Sequence, residues 1–182
     1  MIRPTLLAFL ATTALLSAQD DKAVADIVAK VNATGASLAP ISADAKTYRF
    51  TALNVAKEFT DAGLAPLAPI ADKITSLDLA RTKVTDGGLK SVGAMKNLVE
   101  LHLENTGITD AGLDALKPLA SLEYLNLYGT KTTDGGIAKL EGAKALKKLF
   151  VWQTGVTQNG AKALEGKIPG LKVNVGLTEA EI

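Results

Sequence analysis

Cysteine is absent from all 182 residues. Structural disulfides, thiolate metal sites, a thiol nucleophile and a C-x-x-C-H haem attachment are therefore excluded, as is a lipid anchor on a processed N-terminal cysteine. An excess of charge of one sign is missing too. Once Arg3 is set aside with a leader, 19 basic residues face 19 acidic ones, which is no electrostatic footprint for nucleic acid or an anionic membrane surface. Long apolar runs are lacking: the longest, Leu6 to Leu16 broken by Thr12 and Thr13, falls short of the ~20 residues a membrane-spanning helix needs. No phosphate-cradling glycine loop, zinc-protease motif or nucleophile elbow occurs.

What is there begins with that short apolar run. Arg3 precedes it, and Ser17-Ala18 followed by Gln19-Asp20-Asp21 closes it. The pattern predicts a secretory signal peptide over residues 1–18, although Leu16 is bulkier than the small residue usual near such a cut. The mature chain is then exported, periplasmic or extracellular, with no membrane association indicated after cleavage. Export without disulfides points to a bacterial source.

The rest of the chain is one unit repeated. ITSLDLARTKVTDGGLKSVGAMKN from Ile74, LVELHLENTGITDAGLDALKPLAS from Leu98, LEYLNLYGTKTTDGGIAKLEGAKA from Leu122 and LKKLFVWQTGVTQNGAKALEGKIP from Leu146 stand in register at a fixed 24-residue spacing. A period of this size means stacked supersecondary units that share a continuous core. An irregular first unit, FTALNVAKEFTDAGLAPLAPIADK, starts at Phe50, and its Pro66 and Pro69 predict a short or 3₁₀-like helical side. Val173 and Val175 belong to a terminal half-repeat. We divide the chain into the signal (1–18), an N-terminal cap (19–49), a repeat domain of about five units plus the half-repeat (50–177) and a tail (178–182). In the cap, Val24, Ile27, Val28 and Val31 form one helical stripe that Asp20 or Asp21 can cap and Gly35 can end, and residues 38–41 form a short edge strand that tolerates Pro40.

Within each unit, apolar pairs two apart (Leu77 and Leu79, Leu101 and Leu103, Leu125 and Leu127, Leu149 and Val151) point to one face of a short strand. Thr85 and Thr109 follow as helix N-caps, with Asp86 and Asp110 at the positive ends of the helix dipoles. Gly88, Gly112, Gly136 and Gly160 recur in the first helical turn, where glycine costs about 1 kcal/mol, so close approach of the neighbouring coil is the expected reason. Thr82, Thr106, Thr130 and Thr154 after each strand read as hydroxyls that satisfy turn backbone, since a functional residue rarely repeats at every rung.

The spelling L-x-x-L-x-L-x-x-T followed by V/I-T-D-x-G-L resembles the leucine-rich repeat family in its Thr/Cys-containing subtype. The phrases LHLENTGITDAGL, LEYLNLYGTKTTDGG and LKKLFVWQTGVT are similar to leucine-rich segments of exported bacterial proteins, some of them joined to c-type cytochrome-like domains. Haem does not carry over, because the cysteines are missing, but a separately encoded redox protein is one partner the resemblance allows. The same repeat looks like the substrate-binding part of F-box proteins, yet no F-box precedes it. The resemblance implies an α/β leucine-rich-repeat solenoid, a right-handed β-α superhelix with a short parallel sheet on its concave face, helices on its convex face and an N-terminal helical cap.

Residues between the inward pairs face out of the sheet. By unit they read Ala52, Asn54, Ala56; Ser76, Asp78, Ala80; Glu100, His102, Glu104; Tyr124, Asn126, Tyr128; and Lys148, Phe150, Trp152. Four of the chain's eight aromatics thus share two adjacent strands of one surface. A contiguous aromatic group on a concave sheet is the usual form of a recognition surface. The expected function is non-enzymatic binding of a protein or peptide through Glu100, His102, Glu104, Tyr124, Asn126, Tyr128, Lys148, Phe150 and Trp152, with no cofactor and no nucleic acid. The alternatives are a metal-dependent or acid-base enzyme centred on His102 and a purely structural envelope component. Against the enzyme, alternate residues of one strand lie nearly 7 Å apart on a sheet that excludes little water.

Overall fold

A computed structural model describes residues 20–42 and 46–176. The signal peptide and tail expected from the sequence lie outside the described residues. Helix α1 covers residues 20–33, so Asp20 and Asp21 are already helical and do not cap it. It buries Val24 and Val31, with Ile27 and Val28 partly covered, against the first coil. The chain leaves the helix through Gly35 at φ +88°, where a side chain would be strained and a β-carbon would meet Val55. Strand β1 (Ser37–Pro40) follows, tied to the helix by the Asn32 side chain, which accepts from Leu38 N–H at 2.7 Å.

Seven strands then lie side by side in chain order: β1, β2 (Tyr48–Thr51), β3 (Ile74–Asp78), β4 (Glu100–His102), β5 (Tyr124–Asn126), β6 (Lys148–Phe150) and β7 (Lys172–Asn174). β1 runs antiparallel to β2, and every later pair is parallel, with Leu77, Leu101, Leu125, Leu149 and Val173 aligned across the sheet. Pro40 therefore sits on the outermost strand, where its missing N–H breaks no ladder bond. The inward pairs from Leu77 through Val151 are at most 1% exposed, and Leu89, Leu113, Ile137, Val92, Leu116, Leu140 and Leu164 meet them from the helical side.

The helical side is mixed. α2 (Asp86–Val92), α3 (Asp134–Ala138) and α4 (Gln158–Glu165) are α-helical, whereas Asp61–Lys73 and Gly112–Leu116 are 3₁₀. Pro66 and Pro69 lie inside the first of these. Pro118 just beyond the second has no N–H to offer the Asp114 carbonyl. Strands pack at ~4.8 Å and helices at ~8–10 Å, so the stack bends with its sheet inward.

The irregular first coil corrects the sequence reading. Outward Ala52, Asn54 and Ala56 would require Leu53 and Val55 to be the inward pair, but Phe50 aligns with Leu77, and the fully buried Ala52 takes the next inward position. Leu53–Val55 is a 3₁₀ turn with Leu53 half exposed, so Ala52, Asn54 and Ala56 are not sheet-facing; Arg49 and Thr51, beside Ser76 and Asp78, are. Leu53 and Val55 imitate the apolar pair at the right spacing, but aromatic Phe50 fills the deeper site and stacks against Phe59 at 5.6 Å.

Between strand and helix the coils are joined by side chains. Asp61 accepts from Thr85 N–H and hydroxyl at 2.8 and 2.6 Å, Asp86 from Thr109 at 2.9 and 2.6 Å, Asp110 from Thr133 at 2.7 and 2.6 Å, and Asp134 from Thr157 at 2.7 Å for both. These aspartates serve the next coil more than their own helix dipole. Thr85, Thr133 and Thr157 accept from Gly87, Gly135 and Gly160 N–H and so cap α2, α3 and α4, whereas Thr109, expected to be a cap as well, accepts from Ala111 N–H and lies two residues ahead of Ala111, the N-cap of the 3₁₀ segment Gly112–Leu116. A β-carbon on Gly88, Gly112, Gly136 or Gly160 would strike the carboxylate of Asp61, Asp86, Asp110 or Asp134, which is why glycine recurs there. Thr82, Thr106, Thr130 and Thr154 donate to the carbonyl three residues back, closing each turn.

Candidate recognition surface

Strand alternation and parallel register place the outward side chains in rows. Ser76, Glu100, Tyr124, Lys148 and Lys172 make one row; Asp78, His102, Asn126, Phe150 and Asn174 make the next. A third row, Ala80, Glu104, Tyr128 and Trp152, lies just past the strands. Its backbone is held in place because Arg81, Asn105 and Gly129 donate N–H to the carbonyls of Glu104, Tyr128 and Trp152 at 2.7, 2.7 and 3.0 Å. The donors lie at left-handed φ of 63°, 53° and 67°, a geometry repeated at Gln153. All nine residues expected to form the site therefore share one surface.

The aromatic side chains touch in two groups. The Tyr124 ring lies 4.8 Å from the His102 ring and 5.3 Å from the Phe150 ring, bridging the first two rows. Tyr128 and Trp152 pair at 5.4 Å in the third, and Trp152 is 49% exposed although it is the chain's one tryptophan. Burial, opposed by the Asn126 contact and aided by Glu104 and Glu100, raises the Tyr124 phenol above its ordinary range.

His102 and Glu104 are closer than strand spacing alone suggests. Their side chains lean together, Nδ1 to Oε1 at 2.9 Å, and Asn126 Nδ2 donates to the same oxygen at 2.6 Å. Glu104 Oε2 is enclosed without a hydrogen-bond partner. The hydrogen bond to Glu104 raises the His102 pKa above 6.5; burial opposes the rise, and the charges of Glu104, Asp78 and Glu100 add to it. Asp78 Oδ1 and Asn126 Oδ1 accept from the N–H groups of Ala80 and Tyr128, so His102 is flanked by two side chains fixed to their own backbone. Among the described residues, no three His, Cys, Asp or Glu side chains are placed to hold a metal ion.

Beside this cluster, Leu53, Asp78, Ala80, Arg81, His102, Glu104, Asn105 and Tyr128 line a shallow depression of about 460 Å³. Leu53, Asp78, Ala80, Arg81 and Asn105 are not among the nine expected site residues. For Arg81 and Asn105 the signal was the eighth position of each unit, where Arg81, Asn105, Gly129 and Gln153 fall and where the left-handed turn tips the side chain onto the rim of the sheet.

A buried leucine ladder, a parallel sheet of one short strand per coil and a helical segment behind each strand define a leucine-rich-repeat solenoid. Residues 73–93 and 94–117 match the family model described as Leucine Rich repeat. The fold is similar to that of an internalin (inlF) from Listeria monocytogenes, at 19% identity and a TM-score of 0.51, covering 64% of this chain and 32% of that one. This chain thus spans about a third of the internalin's length. The ectodomain of the receptor kinase SOBIR1 from Arabidopsis thaliana is similar at 16% identity and a TM-score of 0.46, covering 86% and 91% of the two chains. A leucine-rich-repeat protein of Leptospira interrogans is similar at 19% identity and 0.45, covering 56% and 25%. No curated protein matches the sequence.

Proposed function

We propose that the protein is an exported, non-enzymatic recognition module that binds a protein or peptide across the sheet face. The observation that carries this reading is the pair Tyr128 and Trp152. Two large rings stack on each other at the rim of the sheet with Trp152 49% exposed, while the core behind them is already closed by Leu127 and Val151. Trp152 also rests on Gly176 just past β7 and still leaves about half of its surface in water, and a large apolar group left in water on a sheet face is the signature of an interface centre. Export rests on the charged, apolar and small-residue order of residues 1–18.

The test is affinity capture from an envelope fraction with wild-type protein and the Tyr128→Ala, Trp152→Ala double variant immobilised side by side. A partner retained by the wild type and lost from the variant, with the variant's melting curve intact, supports the reading. Equal capture by both overturns it. Production of the full chain in a Gram-negative host should give a periplasmic product that begins just after Ala18, and a cytoplasmic product of full mass would remove the export half of the proposal.

A further inference from the structure

The clamp between coils leaves one pair of donors over. Thr60, Thr85, Thr109, Thr133 and Thr157 hold the same place in successive coils, and each of the last four gives its N–H and hydroxyl to the aspartate of the coil before, at between 2.6 and 2.9 Å. Thr60 has no repeat coil before it, only the cap. Its backbone, at φ −120° and ψ −179°, matches Thr85 at −121° and −178° and Thr133 at −127° and −178°. Its two donors therefore point as theirs do, away from their own coil and toward the cap. Among the described residues, neither the Thr60 N–H nor its hydroxyl has a hydrogen-bond partner.

Where a preceding coil would bring its carboxylate, the cap leaves a cavity. It measures about 400 Å³ and is walled by Val31 and Ala36 from the cap and by Phe50, Val55 and Phe59 from the first coil, with Thr60 in its lining. Val31, Ala36, Phe50 and Phe59 are buried members of the core, so these apolar walls are held by packing. Phe59 stands where the later coils have the smaller Val84, Ile108, Thr132 and Val156, and its ring, not a carboxylate, lies against Gly63. Glu58 also lines the cavity, but its carboxylate is 87% exposed and faces Lys83 at 3.9 Å, so it neither takes the Thr60 donors nor leaves a net charge beside them. The Asp61 oxygens are taken by Thr85.

We propose that this cavity is a binding site for a small apolar monocarboxylic acid. The carboxylate accepts from the Thr60 N–H and hydroxyl, as an aspartate does in each later coil, and the apolar body lies over Phe50 and Phe59. Both donors belong to one residue, so no helix dipole is needed. Thr60 is exposed, which leaves the charge at the mouth while only the apolar body is enclosed. A volume of this size suits a small ligand. A wholly apolar molecule would cover the two donors without an acceptor, and a phosphate would press further charged oxygens against the Phe59 ring. The site uses none of the nine sheet-face residues and stands or falls independently of the recognition reading.

Octanoate, octanol and acetate, titrated separately into the isotope-labelled full chain at neutral pH, test this by NMR. Octanoate should bind saturably, moving the Thr60 amide resonance downfield together with the methyl resonances of Val31 and Val55. Its affinity should exceed that of octanol and of acetate by at least about tenfold, the effect of roughly one charge-assisted contact or of a buried alkyl tail. Thr60→Val deletes a hydroxyl that has no partner in the protein, so it should leave the melting temperature unchanged, weaken octanoate about tenfold and leave octanol alone. Thr60→Ser keeps both donors and should retain octanoate binding. Val55→Phe fills the cavity and should weaken octanoate and octanol together. Equal affinity for octanoate and octanol, with no effect of Thr60→Val, would overturn the carboxylate site. Acetate binding as tightly as octanoate, or no saturable binding of octanoate, overturns it as well. Should Thr60→Val lower the melting temperature, Val55→Phe decides: octanoate affinity unchanged in that variant counts against the inference.

Discussion

The edge where each strand turns toward its helix and the face of the sheet are built on opposite plans. Along the edge, Asp61, Asp86, Asp110 and Asp134 each accept from the N–H and hydroxyl of Thr85, Thr109, Thr133 and Thr157, with a glycine beside each carboxylate to leave it room. Along the face, the same register puts Ser76, Glu100, Tyr124 and Lys148 in one row. A position that must be the same in every coil holds the coils together. A position free to differ in every coil is released from that duty, because the backbone alone supplies the ladder between strands. The face is where selection for a ligand could act without cost to the stack.

Breaking the stack itself should have the largest effect. Leu103 is fully buried in the middle of the array, and its side chain contributes about 1.5–3 kcal/mol by burial. Leu103→Asp removes that and buries an unpaired charge, a loss of several kcal/mol against a typical total of about 5–15 kcal/mol. Circular dichroism should show no cooperative melt for this variant. Because each coil is supported only by its neighbours, damage in the middle should propagate to both ends.

The clamp along the edge ranks next. Asp110→Ala deprives Thr133 of two hydrogen bonds to a charged acceptor, worth about 1–2 kcal/mol after allowance for their exposure to solvent. For a chain of this length that lowers the melting temperature by roughly 2–8 °C. Gly136→Ala drives a methyl group into the same carboxylate and should cost a similar amount. By contrast, the Tyr128→Ala, Trp152→Ala pair should cost less than about 1 kcal/mol, since it removes a partly exposed ring contact and opens no cavity in the core. Calorimetry on the two sets decides the comparison. Were the aromatic pair to cost as much as the clamp, the sheet face would be structural after all.

The repeats were legible because a solenoid writes its core into the sequence at a fixed spacing. Leu101 and Leu103 need only be shifted by 24 to predict Leu125 and Leu127, and the rows of the sheet face follow from the same shift. The first coil was misaligned because Leu53 and Val55 offer the correct spacing in the wrong place, and the choice between them and Phe50 is made by the volume available beside Phe59. The clamp was hidden for a different reason. An aspartate at the start of a helix has an adequate local role, and nothing in its own unit reveals that its acceptor atoms are engaged by a threonine 23 residues later. The contact of His102 with Glu104 escaped because backbone spacing sets where side chains start, not where they end.

That contact gives the smallest and sharpest expected effect. The chain holds one histidine, so a single imidazole resonance reports the site without assignment. His102 should titrate above 6.5, because the folded state offers its proton the Glu104 carboxylate as well as the charges of Asp78 and Glu100. Glu104→Gln removes the largest of these causes and should move the titration down toward or below that value, since burial then acts with less opposition. The sign for stability follows. A pKa higher in the folded state than in the unfolded one means that the His102 contribution is fully present below about 6.5, the unfolded value, and is lost as the pH rises through the folded value. The difference in melting temperature between wild type and His102→Gln should therefore shrink from mildly acid to alkaline solution, after the carboxylates common to both have cancelled. A His102 resonance that titrates below 6.5 in the wild type would show that burial outweighs Glu104, and the face would then hold three charges that no proton on this ring can offset near neutral pH.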